Sequence, residues 1–156
     1  MRLSLILCLG LAVGCGKQIG DACIVSSDCS IDGTRVCDRS GTSDGYCTII
    51  GCDYATCPEE AVCVRFFAGG FANRPCGIQA DCSLDELCTL EGQCVPRSAE
   101  VRYCMKKCDQ QSDCRDGYEC RDFQGMIDHG GEPSLAPGIE VNEATAPPFC
   151  AVAPAS

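Results

Sequence analysis

Cys76-Gly77-Ile78-Gln79-Ala80-Asp81-Cys82-Ser83-Leu84-Asp85-Glu86-Leu87-Cys88-Thr89-Leu90-Glu91-Gly92-Gln93-Cys94 carries four cysteines with five residues between each successive pair. Three uses compete for such thiols: metal ligation, redox exchange and structural cross-links. Zinc and iron–sulfur sites usually place two thiolates on one tight turn, because metal–sulfur bonds of about 2.3 Å fix the bite. Thioredoxin-type exchange also uses C-x2-C. No C-x-C, C-x2-C or adjacent pair occurs in the chain, and the closest cysteines, Cys104 and Cys108, have three residues between them. Structural disulfides are therefore the expected use.

The same pattern recurs on either side. Cys23-x5-Cys29-x7-Cys37-x9-Cys47 precedes it, and Cys108-x5-Cys114-x5-Cys120 follows, with a fourth cysteine only at Cys150. An acid stands before the second cysteine of every copy, as Asp28, Asp81 and Asp113. Polar turns follow, at Ile31-Asp32-Gly33, Leu84-Asp85-Glu86 and Arg115-Asp116-Gly117, and then a short strand-like stretch carries the third cysteine. Gly45 and Gly92 lie two residues before the closing cysteines, and Glu91-Gly92 reads as a tight hairpin turn. Ser83-Leu84-Asp85-Glu86 has the form of a capping box, but the flanking cysteines leave room for one helical turn at most. Cys52, Cys57, Cys63 and Cys104 lie outside the copies and are again even in number. We expect first-to-third and second-to-fourth pairing within a copy, with Cys104 returning to the 52–63 segment. Spacing alone leaves other connectivities open.

Composition points the same way. Eighteen of 156 residues are cysteine, there is no Trp, and there is one His. After Gly14, Leu, Ile, Val and Phe number 25 in 142 residues, a level at which a chain with sizeable net charge stays disordered unless something else holds it. Eight bridges, each contributing roughly 2–4 kcal/mol by restricting the unfolded chain, supply that hold. These counts exclude a large enzyme core, a polytopic membrane protein and a histidine-based metal centre.

Met1-Arg2 is followed by an uncharged run from Leu3 to Val13, the shape of a secretory leader and too short to span a bilayer. Its end, Leu11-Ala12-Val13-Gly14-Cys15-Gly16, resembles the lipobox of bacterial lipoproteins, with Ala12 where that family usually has Leu. The resemblance implies cleavage after Gly14 and a diacylglyceryl thioether on Cys15, whose new amine is then acylated with a palmitate-type chain. An ordinary leader is the alternative, but it would leave 17 cysteines, whereas lipidation of Cys15 leaves an even 16. Gly16 rather than Asp at the second mature position points to an outer-membrane address. The mature chain carries 11 basic and 22 acidic residues, a net of −11. Such a surface repels nucleic acid and anionic headgroups, so the membrane is engaged by the lipid alone.

The repeat resembles the cysteine-rich repeats of secreted bacterial lipoproteins, notably of myxobacteria, and is similar to small extracellular knot-like modules of animals such as the EB and Dickkopf types. The resemblance spans residues 23–124. The expected fold is small and disulfide-rich: tandem cysteine-stapled modules with short β-hairpins and long loops, and little helix beyond the signal peptide. The expected divisions are a signal peptide at 1–14, a lipidated tether at 15–22, repeat 1 at 23–50 and a connector at 51–75. Repeat 2 follows at 76–103, repeat 3 at 104–150 with a Gly/Pro-rich loop at 125–149, and a tail at 151–156. That loop reads as either disordered or displayed. Val62, Val64 and Phe66 alternate as a strand with one buried face, or else as an aromatic patch for a partner. The 68–73 segment reads as a turn or loop.

Catalytic signals are absent. His129, in Asp128-His129-Gly130-Gly131, reads as a solvated loop residue, and no G-x-S-x-G, H-E-x-x-H or P-loop pattern occurs. The acids Asp81, Asp85 and Glu86 read as turn-forming. Asp28/Asp32 and Asp113/Asp116 form a minor calcium candidate, without EF-hand spacing; no other cofactor is expected. The favoured function is a non-enzymatic, lipid-anchored envelope or surface protein with a structural, adhesive or binding role towards a protein or surface ligand in an oxidising compartment. The alternative is a small protease inhibitor presenting the 125–149 loop.

Overall fold

A computed structural model describes residues 16–41, 44–69 and 74–154. The leader and Cys15 lie outside them, as does most of the 68–73 loop. Along the chain come β1 (Ala22–Cys23), α1 (Ser26–Cys29), β2 (Val36–Asp38), β3 (Gly45–Thr48) and β4 (Ala61–Phe67). A 3-10 turn at Gln79–Asp81 leads to β5 (Glu86–Cys88), β6 (Cys94–Pro96) and β7 (Glu100–Lys106). Further such turns lie at Arg97–Ala99, between β6 and β7, and at Gln111–Asp113, which precedes β8 (Tyr118–Arg121), α2 (Phe123–His129), β9 (Glu132–Pro133) and β10 (Phe149–Val152). The described residues form a small, disulfide-rich fold built from short antiparallel strands with two helices. Among the described residues, no helix is long and apolar enough to cross a membrane.

The longest pairing joins β4 to β7, in register from Ala61↔Lys106 to Phe67↔Glu100. Repeat 2 is thus an insertion in a two-stranded ribbon. β9 adds to the other edge of β4 through Val64↔Pro133 and Arg65↔Glu132. On the far side of β7, Ile50 bridges Tyr103, and Thr48 Oγ1 donates to Cys104 O at 2.8 Å. These bonds dock repeat 1 onto the ribbon. Repeat 3 closes as β8 against β10, and Phe149 bridges Lys107.

β4 is buried on both faces where one was expected. Val64 is fully buried on one face, while Ala61 and Cys63 are buried on the other. The second face is covered by sulfur: Cys63 lies opposite Cys104, and these bond to Cys52 and Cys57 respectively. Phe66 packs edge-on to Phe149 and Tyr103, with ring centroids 6.2 Å away in each case.

Two expected divisions move. The 15–22 tether is mostly part of the fold, because Ile19 is 0% exposed in the main core and Gly20 N donates to Cys47 O at 2.9 Å. The 125–149 segment is neither a disordered excursion nor a freely displayed loop. Asp122 caps α2 by accepting Gly125 N at 2.8 Å, and α2 buries Met126. Pro133 and Phe149 are buried as well. One core runs from Ile19 through Tyr46, Val64 and Met105 to Met126 and Phe149. Repeats 1 and 3 share it. Repeat 2 touches it through the partly buried Leu90.

Candidate functional site

The eight bridges join Cys23–Cys37, Cys29–Cys47, Cys52–Cys63, Cys57–Cys104, Cys76–Cys88, Cys82–Cys94, Cys108–Cys120 and Cys114–Cys150. Each repeat joins first to third and second to fourth. Cα–Cα distances are 5.8, 5.9 and 5.9 Å for the first kind of bridge and 5.4, 5.5 and 5.5 Å for the second. The displaced Cys150 changes only the length of chain enclosed. Sulfur atoms from neighbouring bridges crowd within 4.8 Å of one another at four places, but half-cystines offer no thiolate to a metal.

The acid of each repeat does the same work three times. Asp28 Oδ2 accepts the Ile24 and Val25 amides at 2.8 and 3.1 Å. Asp81 Oδ2 accepts Gly77 and Ile78 at 2.8 and 3.1 Å, and Asp113 Oδ2 accepts Asp109 and Gln110 at 2.8 and 3.0 Å. In all three, these backbone bonds hold the carboxyl below its ordinary range. One oxygen of Asp28 and one of Asp113, both calcium candidates, are committed to their own turns, and Asp32 Oδ1 accepts Thr34 N and Oγ1. Glu86 likewise accepts Ser83 N at 2.9 Å, and the chain then enters β5 rather than a helix.

Two residues before each acid stands a side chain whose role the sequence reading missed. Gln111 Nε2 donates to Tyr118 O at 2.7 Å while its Oε1 accepts Cys120 N at 2.9 Å. Gln79 does the same for Glu86 O and Cys88 N, and in repeat 1 Ser26 Oγ accepts Cys37 N at 3.1 Å. The shared Q-x-D-C at 79–82 and 111–114 was the available signal. The strand bearing the third cysteine is thereby tied to the turn.

His129 ends α2 rather than sitting in a loop, with Nδ1 2.9 Å from Glu119 Oε1. Beside it, Arg121 is buried; its Nε donates to the same Glu119 oxygen and its terminal nitrogens donate to the carbonyls of His129, Gly130 and Val152. Glu132, 4% exposed, accepts from Arg65 Nε at 2.8 Å and from Leu90 N at 2.6 Å, fastening repeat 2 to β4 and β9. These charged groups are braces between segments.

Among the described residues, the most apolar recess is a cleft of about 320 Å³ between repeat 1, the β4–β7 ribbon and repeat 3. Its walls include Tyr46, Phe66, Phe67, Tyr103 and Tyr118, five of the chain's nine aromatic residues. Val101, Met105 and Val152 add aliphatic surface, and Asp38 and Ser40 supply polar groups. Tyr46 and Tyr118 stack with centroids 5.1 Å apart. Burial pushes the Tyr46 phenol well above its usual range. Burial also raises that of Tyr103, and the Asp38 charge adds to the effect. An apolar recess with few polar groups is the usual form of a ligand site. Compared with protein-family models, curated proteins and solved structures, the chain matches none of them.

Proposed function

We propose that this chain is a non-enzymatic binding protein, exported and lipid-tethered at a cell envelope, with the aromatic cleft as its ligand site. Eight disulfides assign it to an oxidising, extracytoplasmic compartment. The tether rests on the Leu11–Cys15 resemblance, and the outer-membrane address on Gly16 at the second mature position that this resemblance implies. The observation that carries the binding role is the cleft itself: three segments distant in sequence converge their aromatic side chains on one recess, and cross-links hold those segments with little entropy left to lose on binding. The inhibitor reading needed an extended, exposed 125–149 loop, whereas this segment buries Met126, Pro133 and Phe149 at its base and flanks.

The neutral apolar dye N-phenyl-1-naphthylamine tests the cleft. It should brighten on the native chain, and Val101→Glu, which sets a charge in the wall, should lower its affinity at least tenfold. Equal brightening of both proteins would remove the cleft as the site. Intact mass of envelope-extracted protein checks the tether: a diacylglyceryl-plus-acyl increment should be present and should vanish in Cys15→Ser.

A further inference from the structure

We propose that the cleft selects an alkylammonium cation, either a lysine side chain of a partner or a quaternary ammonium head, held against the aromatic faces with Asp38 as counter-charge. This rests on reading the cleft as the binding site and adds its chemical class.

Four observations converge. The faces of Tyr, Phe and Trp attract cations through the ring quadrupole, and several such rings around one recess add their fields. Two of these rings already hold a cation, which lines a neighbouring recess and not the cleft itself: the Arg115 guanidinium carbon lies 4.5 Å from the Tyr118 centroid and 5.7 Å from that of Tyr46. A negative charge is in place as well. Asp38 lines the cleft, as Tyr103 does, accepts Ser40 N at 3.0 Å through Oδ1, and has no ion-pair partner among the described residues.

Among the described residues, the one cationic side chain in the lining is paired with an acid. Four of the five N–H donors of Arg121 are spent on Glu119 and three carbonyls, so it offers an anionic ligand little. Finally, the whole chain carries a net charge of −10, a field that concentrates cations near the surface and repels carboxylates and phosphates.

Tyrosine fluorescence reads the result directly. There is no Trp, and three of the four tyrosines, Tyr46, Tyr103 and Tyr118, line the cleft. The oxidised chain is titrated with choline, with Nα-acetyl-lysine amide, and with 3,3-dimethyl-1-butanol, the uncharged isostere of choline. At least one cation should bind tenfold or more tightly than the isostere, and whichever does so identifies the ammonium source. Asp38→Asn should erase most of that preference while leaving the isostere's affinity unchanged. Tyr103→Leu, which keeps apolar volume and removes a ring face, should weaken the cation more than the isostere. An isostere that binds as well as both cations overturns the inference and leaves an apolar site. Failure of all three ligands together with the naphthylamine dye overturns the cleft as a site altogether.

Discussion

Single residues here are chosen for what their neighbours leave them. Gly45 and Gly92 occupy the same place in their repeats for different reasons. Gly92 adopts φ +72° at the β5–β6 turn. A Cβ on Gly45 would meet Cys37 Sγ at 2.3 Å and the Cys23 carbonyl oxygen at 2.9 Å. Gly45→Ala should therefore cost about 1–3 kcal/mol by overpacking, read by guanidinium denaturation of the oxidised protein. No change would mean that the Cys23–Cys37 bridge can shift. The three turn acids make a pH prediction with a definite sign. Their pKa values are lowered in the folded state, so their stabilisation is present above the unfolded value of 3.8 and is lost as pH falls through the folded one. Amide protons of Val25, Ile78 and Gln110 should titrate together in NMR spectra, with midpoints below 3.8. A midpoint at or above that value would contradict the hydrogen bonds drawn to Asp28, Asp81 and Asp113.

At the scale of elements, the repeat unit is a turn plus a hairpin, with the turn bonded to the hairpin by Gln79, Gln111 or Ser26. The third unit departs from the others between β8 and β10, where 122–148 folds back with α2 and β9. That excursion was legible as long and rich in Gly and Pro, but not as packed. Phe123 to His129 is too short for helical periodicity to register, and β9 exists only because β4 offers it an edge. The consequence is visible to a protease specific for Glu. Within this segment, cleavage of the oxidised protein should fall after Glu140 or Glu143, both exposed, and spare Glu132, which is buried and paired with Arg65. Rapid cutting at Glu132 would show that the segment is loose. Equally exposed are the tips of the first two turns. Ile31 and Leu84 occupy equivalent positions and are 100% exposed, where repeat 3 has Asp116.

For the whole molecule, covalent and apolar contributions are both present. Disulfides hold each module, yet a single core joins repeats 1 and 3 through Ile19, Tyr46, Val64, Met126 and Phe149. Phe149→Ala should cost about 3–5 kcal/mol, as much as removal of a long-range bridge such as Cys57–Cys104, which spans 47 residues and whose loss should cost roughly 2–4 kcal/mol. Guanidinium denaturation of the oxidised variants compares them. A loss under about 1 kcal/mol for Phe149→Ala would return the fold to its sulfur alone.

Composition and spacing determined the class of this protein and its outline: sixteen cysteines after Cys15, no metal-type pair, three copies of one pattern, and an acid that caps each turn. Those are local properties, since a loop of five residues and one carboxylate carry their geometry with them. The interlocked pairing was an expectation that spacing alone left open; the folded hairpins decide it by bringing each pair of sulfurs together, across 36 residues for Cys114–Cys150. Other features required the third dimension. Ile19 lies in a stretch that reads as tether, and only the presence of Tyr46 and Met105 nearby makes it core. The cleft draws Asp38, Tyr46, Phe66, Tyr103, Tyr118 and Val152 from separate segments. No window of sequence contains it, because a concave surface belongs to the packing of elements on one another and to none of them alone.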